Sequence, residues 1–232
     1  MLGTFVSIRV EGEEDGHFLD AAFAEIALID RLMSFHQPKS EVSGLNRGGH
    51  LGPMPVHPHT ASVLRLAREV AEISDGAFDI TRASHWREIE IDGDEVRFRR
   101  PLTIDLGGIA KGYAVDLAVA ALRSNGTRQG CVNAGGDLRL FGPSPEWVAL
   151  RTDMPGSAEL PAVLLSEGSL ASSGGARGRF ACVAAHNCGI ADALTKVVLA
   201  RGKRSDSTLR RFGAQAHLYD RRWGWRSLGE AA

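Results

Sequence analysis

Apolar and polar residues alternate over residues 1–10, the two-residue rhythm of a strand with one buried face. From residue 17 the rhythm lengthens: Phe18, Ala22, Ile26, Ile29 and Met33 recur three or four apart, which predicts an amphipathic helix over 17–33. Residues 12–16 read as the charged turn between the two. Two polar stretches follow, 34–46 broken by Pro38 and 48–58 rich in Gly and Pro, and both are expected to be loops. Val63, Leu66, Val70 and Ile73 predict a second helix over 59–74, with Thr60 as its cap and Asp75-Gly76 as its end.

Two alternating runs within 88–99 flank Asp92-Gly93-Asp94 and predict a hairpin. A short strand is expected at 102–106, then a Gly107-Gly108 turn and a helix over 109–124. Strands are expected at 130–133, 137–141, 147–151, 162–166, 169–172 and 179–185, then a helix at 190–200 and a hairpin over 214–226. Strands outnumber helices and follow one another through tight turns. The expectation is one α+β domain spanning 1–232, a largely antiparallel sheet backed by helices.

Composition narrows the function classes. A net charge of -1 offers no global positive field to draw in nucleic acid or an anionic membrane, so neither is an expected partner. No apolar run approaches the ~18 residues of a membrane span. The N-terminus lacks a basic leader and cleavage site, so the chain as given is expected in the cytoplasm, with the cell envelope open if a leader was removed. Cys131, Cys182 and Cys188 match neither zinc-site nor CxxC spacing and read as free thiols.

Local chemistry concentrates in a few turns. In IDLGGIAKGYAVD (104–116) a buried strand passes through two glycines into a helix, so unpaired N–H groups and the positive end of the helix dipole converge near Lys111. That arrangement suits an anion; a glycine turn chosen for packing is the equal alternative. NAGGD (133–137) is a second strand-end turn, able to hydrogen-bond a ligand or simply to close a hairpin. GAFD (76–79) and SEVSGLN (40–46) read equally as turn and capping chemistry. Asp192, Thr195 and Lys196 share one side of a helix, where Asp192 either stabilises the first turn or helps hold Mg²⁺.

Taken in order, the Leu-Gly-Thr start, SEVSGLN, GAFD, IDLGGIAKGYAVD, NAGGD, Ser172-Ser173-Gly174 and ADALT make the chain resemble, over nearly its whole length, the ApbE-type FAD:protein FMN transferases. The resemblance implies a T-fold-like α+β domain with a ligand cleft between two lobes. It implies FAD as substrate, Mg²⁺ at the pyrophosphate, and FMN transfer to a Thr or Ser hydroxyl of an acceptor flavoprotein with release of AMP. Carried over by position, Leu2, His36, Ala77, Phe78, Asp79, Asp105 and Lys111 are expected to bind FAD. Gly108, Asp192 and Thr195 are expected to hold the metal.

Three departures alter that expectation. The helical insert usual after GAFD is missing. The His-x-x-Asp-Pro-x-Thr-Gly segment expected after Ser173 is absent, and with it a candidate proton acceptor, leaving His186, His217 or Asp192 for that role. Lys196 stands where the family's Thr follows Asp by four, which predicts that its ammonium partly replaces the metal. Asp192, Lys196 and His186 are therefore the expected catalytic set. A non-catalytic FAD carrier and an FAD pyrophosphatase are the alternatives.

Overall fold

A computed structural model describes residues 2–11, 16–81, 83–150, 162–175 and 178–229. β1 (Val6–Val10) leads to α1 (His17–Met33), α2 (Glu41–Gly48), β2 (Met54–Pro55) and α3 (Pro58–Ile73). The hairpin β3 (Ile89–Asp92) and β4 (Glu95–Phe98) precedes α4 (Ala110–Ser124). β5 (Gly130–Ala134), β6 (Asp137–Phe141), β7 (Glu146–Ala149), β8 (Ala162–Leu165), β9 (Gly168–Gly175) and β10 (Arg179–Ala185) follow. The described chain closes with α5 (Cys188–Arg201), α6 (Asp206–Arg211), β11 (Gln215–Asp220) and β12 (Gly224–Leu228).

Seven strands form one antiparallel sheet in the order β1-β5-β6-β9-β10-β11-β12. A three-stranded sheet, β2-β4-β3, and the β7-β8 hairpin stand beside it. Period-two alternation divides the large sheet's faces. Val132, Ala171, Ala181 and Val183 face a core shared with α1, α3, α4 and α5. Leu138, Leu140, Leu170 and Phe180 face a smaller cluster with Leu150 and Leu165. The α+β, mostly antiparallel expectation holds.

Several boundaries differ from the sequence reading. Residues 34–46 are not all loop, because Ser40 accepts from Ser43 N at 3.1 Å and caps α2, which buries Val42 and Leu45. The cap of α3 is His57, whose Nδ1 accepts from His59 N at 3.2 Å; Thr60 lies buried inside the helix. α6 went unforeseen because six residues are too short for a clear period. Residues 102–106 are extended but join no sheet: Asn46 Oδ1 accepts from Ile104 N at 2.8 Å and Asn46 Nδ2 donates to Ile104 O at 3.0 Å. An amide side chain thus replaces a neighbouring strand. The expected turn at 12–16 and the end of the 147–151 strand fall partly outside the described residues.

α4 and α5 approach at a glycine. A Cβ on Gly112 would lie 2.2 Å from Cys188 O, closer than any side chain tolerates. The contact places the start of α5 beside α4, and Asp116 uses it: Cys188 N and Gly189 N donate to its carboxylate at 3.0 and 2.9 Å. Asn187, at the N-cap position, makes no side-chain cap bond. Each such bond to a charged acceptor contributes about 1.5–3 kcal/mol, and the carboxylate also meets the positive end of the α5 dipole. Arg139 from β6 donates to Asp116 at 2.6 Å and ties both helices to the sheet.

Candidate active site

Two glycine turns build the site. Leu2 and Gly3 have φ of 53° and 68°, and this turn seats Thr4 against Gly135, whose Cβ would meet Thr4 Oγ1 at 2.3 Å. Gly135 N donates to Phe5 O at 3.1 Å. The two motifs lie at the same end of the β1-β5 pair, where Val6 is in register with Ala134, and close against each other. Between this corner and α1 opens a cavity of about 520 Å³, lined in part by Leu2, Met33, His36, Asp105, Gly107 and Lys111. Four of the expected FAD contacts, Leu2, His36, Asp105 and Lys111, thus line one cavity. His36 is edge-on to Phe35, their ring centroids 5.5 Å apart.

The α4 N-terminus opens into the same cavity through Ala110 and Lys111. Gly107 N donates to Asp105 Oδ1 at 2.9 Å, so the aspartate holds the turn that leads into the helix. The helix dipole and Lys111 are the positive features of a lining that also carries the carboxylates of Asp30 and Asp105. Asp105 N donates to Ile80 O at 2.8 Å and joins the turn to the segment after α3.

GAFD serves that segment. Thr81 N donates to Asp79 Oδ1 at 2.7 Å, Phe78 N donates to Ser74 Oγ at 3.1 Å, and the Phe78 ring is buried beneath Gly108. Ala77 packs against the main core. Ala77, Phe78 and Asp79 lie outside the residues that line the cavity, and Phe78 acts on it from beneath the turn.

Behind Lys111 lies a charged cluster. Lys111 Nζ pairs with Asp137 Oδ2, and Ser172 N donates to Asp137 Oδ1 at 3.1 Å. Asp137 was legible only as part of the NAGGD turn; its depth came from the sheet. On α5, Asp192 Oδ1 accepts from Lys196 Nζ at 2.8 Å. That ammonium also donates to Ser173 Oγ at 2.6 Å and Thr195 Oγ1 at 3.0 Å. Thr195 Oγ1 donates to Asp192 O at 2.6 Å. Asp192 and Asp137 are fully buried, whereas the Lys196 side chain is 35% exposed.

Lys111 and Asp137 respond differently to their shared ion pair. Burial works to lower the Lys111 pKa, but the attraction of Asp192 and Asp137 outweighs it and raises the value. For Asp137, burial comes first and the repulsion of Asp192 second; they overcome the pull of Lys111 and raise the carboxyl to about 6. Asp192 acts on both, attracting the lysine and repelling the aspartate. At neutral pH the pair is ionised.

The expected metal set is only partly assembled for a metal. Asp192 and Thr195 lie together, and Gly108 packs on the Lys196 stem, but the ammonium already occupies Asp192 Oδ1. Two unit charges ~4 Å apart repel by about 4 kcal/mol at an effective dielectric of ~20, and a dication beside an ammonium doubles that. The chemistry of one carboxylate and two hydroxyls suits Mg²⁺; the lysine among them does not.

His186 is exposed on the turn after β10, where its carbonyl accepts from Ser169 Oγ at 3.3 Å. Register pairs Ser173 with Ala181 and Ser169 with Ala185, which sets the His186 end of β10 roughly 13 Å along the ladder from Ser173. The structure therefore does not bring His186 to the cluster. His217, in register with Cys182, projects from the face opposite Ser173, its Nδ1 3.4 Å from Ser227 Oγ.

The sequence profile of the ApbE family matches residues 2–95 and 82–216. An FAD:protein FMN transferase of Rhodobacter capsulatus is 28% identical over 65% of this chain and 36% of its own length. One from Vibrio cholerae is 27% identical over 53% of this chain and 48% of its own. The chain thus spans less than half the length of these curated relatives. Among solved structures, a mutant flavin transferase ApbE from Vibrio cholerae superposes with a TM-score of 0.86 at 20% identity, covering 98% of this chain and 94% of its own. At that identity the superposition speaks for the fold.

Proposed function

Since the chain belongs to the ApbE family, we propose that it binds FAD in the cavity beside α4 and transfers the FMN half to a Thr or Ser hydroxyl of an acceptor flavoprotein. The observation that carries this reading is one shared cavity. Leu2, His36 and Asp105 line a space of flavin size, and Lys111 joins it to the buried charges of Asp137 and Asp192. A ring system and a pyrophosphate need such neighbours.

Transfer forms a bond from the acceptor oxygen to the FMN phosphorus and breaks the bond to AMP, while the hydroxyl proton leaves. The chain's part in such a reaction is positioning and electrostatics. Lys111 and the α4 N-terminus hold phosphate oxygens, and Asp105 keeps the Gly107-Gly108 turn open to them. Ala77, Phe78 and Asp79 support that turn. Asp192 Oδ2 is buried without a hydrogen-bond partner among the described residues, and we assign it the proton. When bound, Mg²⁺ would neutralise phosphate charge, but Lys196 stands on the Asp192 carboxylate that would hold it.

Incubation with FAD and a Thr-bearing acceptor flavoprotein, read by mass spectrometry, tests the proposal. A covalent FMN adduct with equimolar AMP is expected. Free FMN and AMP without adduct would replace transfer by hydrolysis, and intact bound FAD would leave a carrier. The carrier reading draws on one observation, the separation of His186 from the cluster.

A further inference from the structure

We propose that the Lys196 ammonium is a built-in cation beneath the Gly107-Gly108 turn that borders the cavity, and that it makes ligand binding independent of a divalent metal. The ammonium carries three hydrogens, and three oxygens receive it: Asp192 Oδ1 at 2.8 Å, Ser173 Oγ at 2.6 Å and Thr195 Oγ1 at 3.0 Å. Asp192 O lies a little farther off, at 3.5 Å. An all-oxygen cradle around one buried carboxylate is the setting a small hard cation seeks. Here the cation is covalently part of α5.

The backbone makes room for the lysine independently of these bonds. A Cβ on Gly108 would sit 3.3 Å from Lys196 Cε, 3.6 Å from its Cγ and 3.5 Å from Phe78 Cε2. The stem therefore runs tight under the glycine turn that leads into α4. The i,i+4 spacing on α5 fixes the head over Asp192. A metal could reach Asp192 Oδ1 only by displacing the ammonium from its ion pair and from both hydroxyl contacts. Among the described residues no group of three or more His, Cys, Asp or Glu side chains could hold a metal elsewhere.

The inference rests on the flavin reading only for the identity of the ligand. Mn²⁺ titration of the ligand-free protein, followed by electron paramagnetic resonance, tests the cradle directly. Wild type is expected to bind no Mn²⁺ specifically, and Lys196→Thr to gain one equivalent that Asp192→Asn removes. Stoichiometric, Asp192-dependent Mn²⁺ binding by wild type would overturn the proposal, and so would a folded Lys196→Thr that stays metal-free. The wild-type arm needs no variant to fold. With FAD, fluorescence quenching in EDTA and in Mg²⁺ is expected to give Kd values within about twofold for wild type, while Mg²⁺ tightens binding to Lys196→Thr by about tenfold or more. A comparable Mg²⁺ requirement in wild type would overturn it. If FAD bound in neither buffer the flavin reading would fall, and the Mn²⁺ arm would still decide the role of Lys196.

Discussion

Asn46 supplies both hydrogen-bond partners of Ile104, accepting from its N–H at 2.8 Å and donating to its carbonyl at 3.0 Å across 58 residues of sequence. A side chain on α2 therefore does the work of a missing strand, and the peptide it holds is followed directly by Asp105 and the glycine turn. The position of the turn into α4 depends on this link to α2.

Asn46→Ala leaves the N–H and carbonyl of fully buried Ile104 without their partner. At about 1–3 kcal/mol for each of the two buried groups left unpaired, the loss is expected to total about 2–6 kcal/mol in urea unfolding. FAD affinity should fall with it, because the turn is released. Unchanged stability would mean the peptide finds other partners.

Gly112→Ala tests the approach of α4 to α5. The added methyl meets main-chain atoms of Cys188 and Gly189, which cannot turn aside as a side chain can. Destabilisation of about 3 kcal/mol or more is expected, at or beyond the upper range for overpacking. Thermal unfolding gives the measure; a variant as stable as wild type would show that the helices separate freely.

The pH dependence of Asp137 has a definite sign. Its carboxyl lies at about 6 in the fold against an ordinary 3.8, so between those values the folded chain keeps a proton that the unfolded chain has lost. The contribution of this group is fully present below about pH 4 and is lost as pH rises through about 6. Wild type should lose stability relative to Asp137→Asn as pH rises from about 4 to about 7. Urea midpoints that run parallel over that range would contradict the raised value.

His186→Ala addresses the proton acceptor. The exposed imidazole stands at the far end of the β9-β10 ladder from Ser173. Single-turnover transfer from FAD is expected to change by no more than about twofold, against the roughly 10²–10⁴-fold loss of a true general base. A large loss would bring His186 into the site by a movement of its turn.

The α+β class and most of the element order were written in local patterns, because periodicity and glycine turns act within a few residues. So was the pairing of Asp192 with Lys196, which needs only one helical turn. Depth and neighbourhood needed the folded chain. Asp137 became a buried partner of Lys111 only where α4 packs on β6, and Ser173 met Lys196 only because β9 lies against α5. Asn46 and Asp116 took their roles from segments 58 and 72 residues away. The helix expected to begin at Thr60 began instead at a histidine cap, and the strand expected at 102–106 found an amide in place of a ladder. In each case hydrogen-bond demand was plain from the sequence, but the group that would meet it depended on which segments packing brought together.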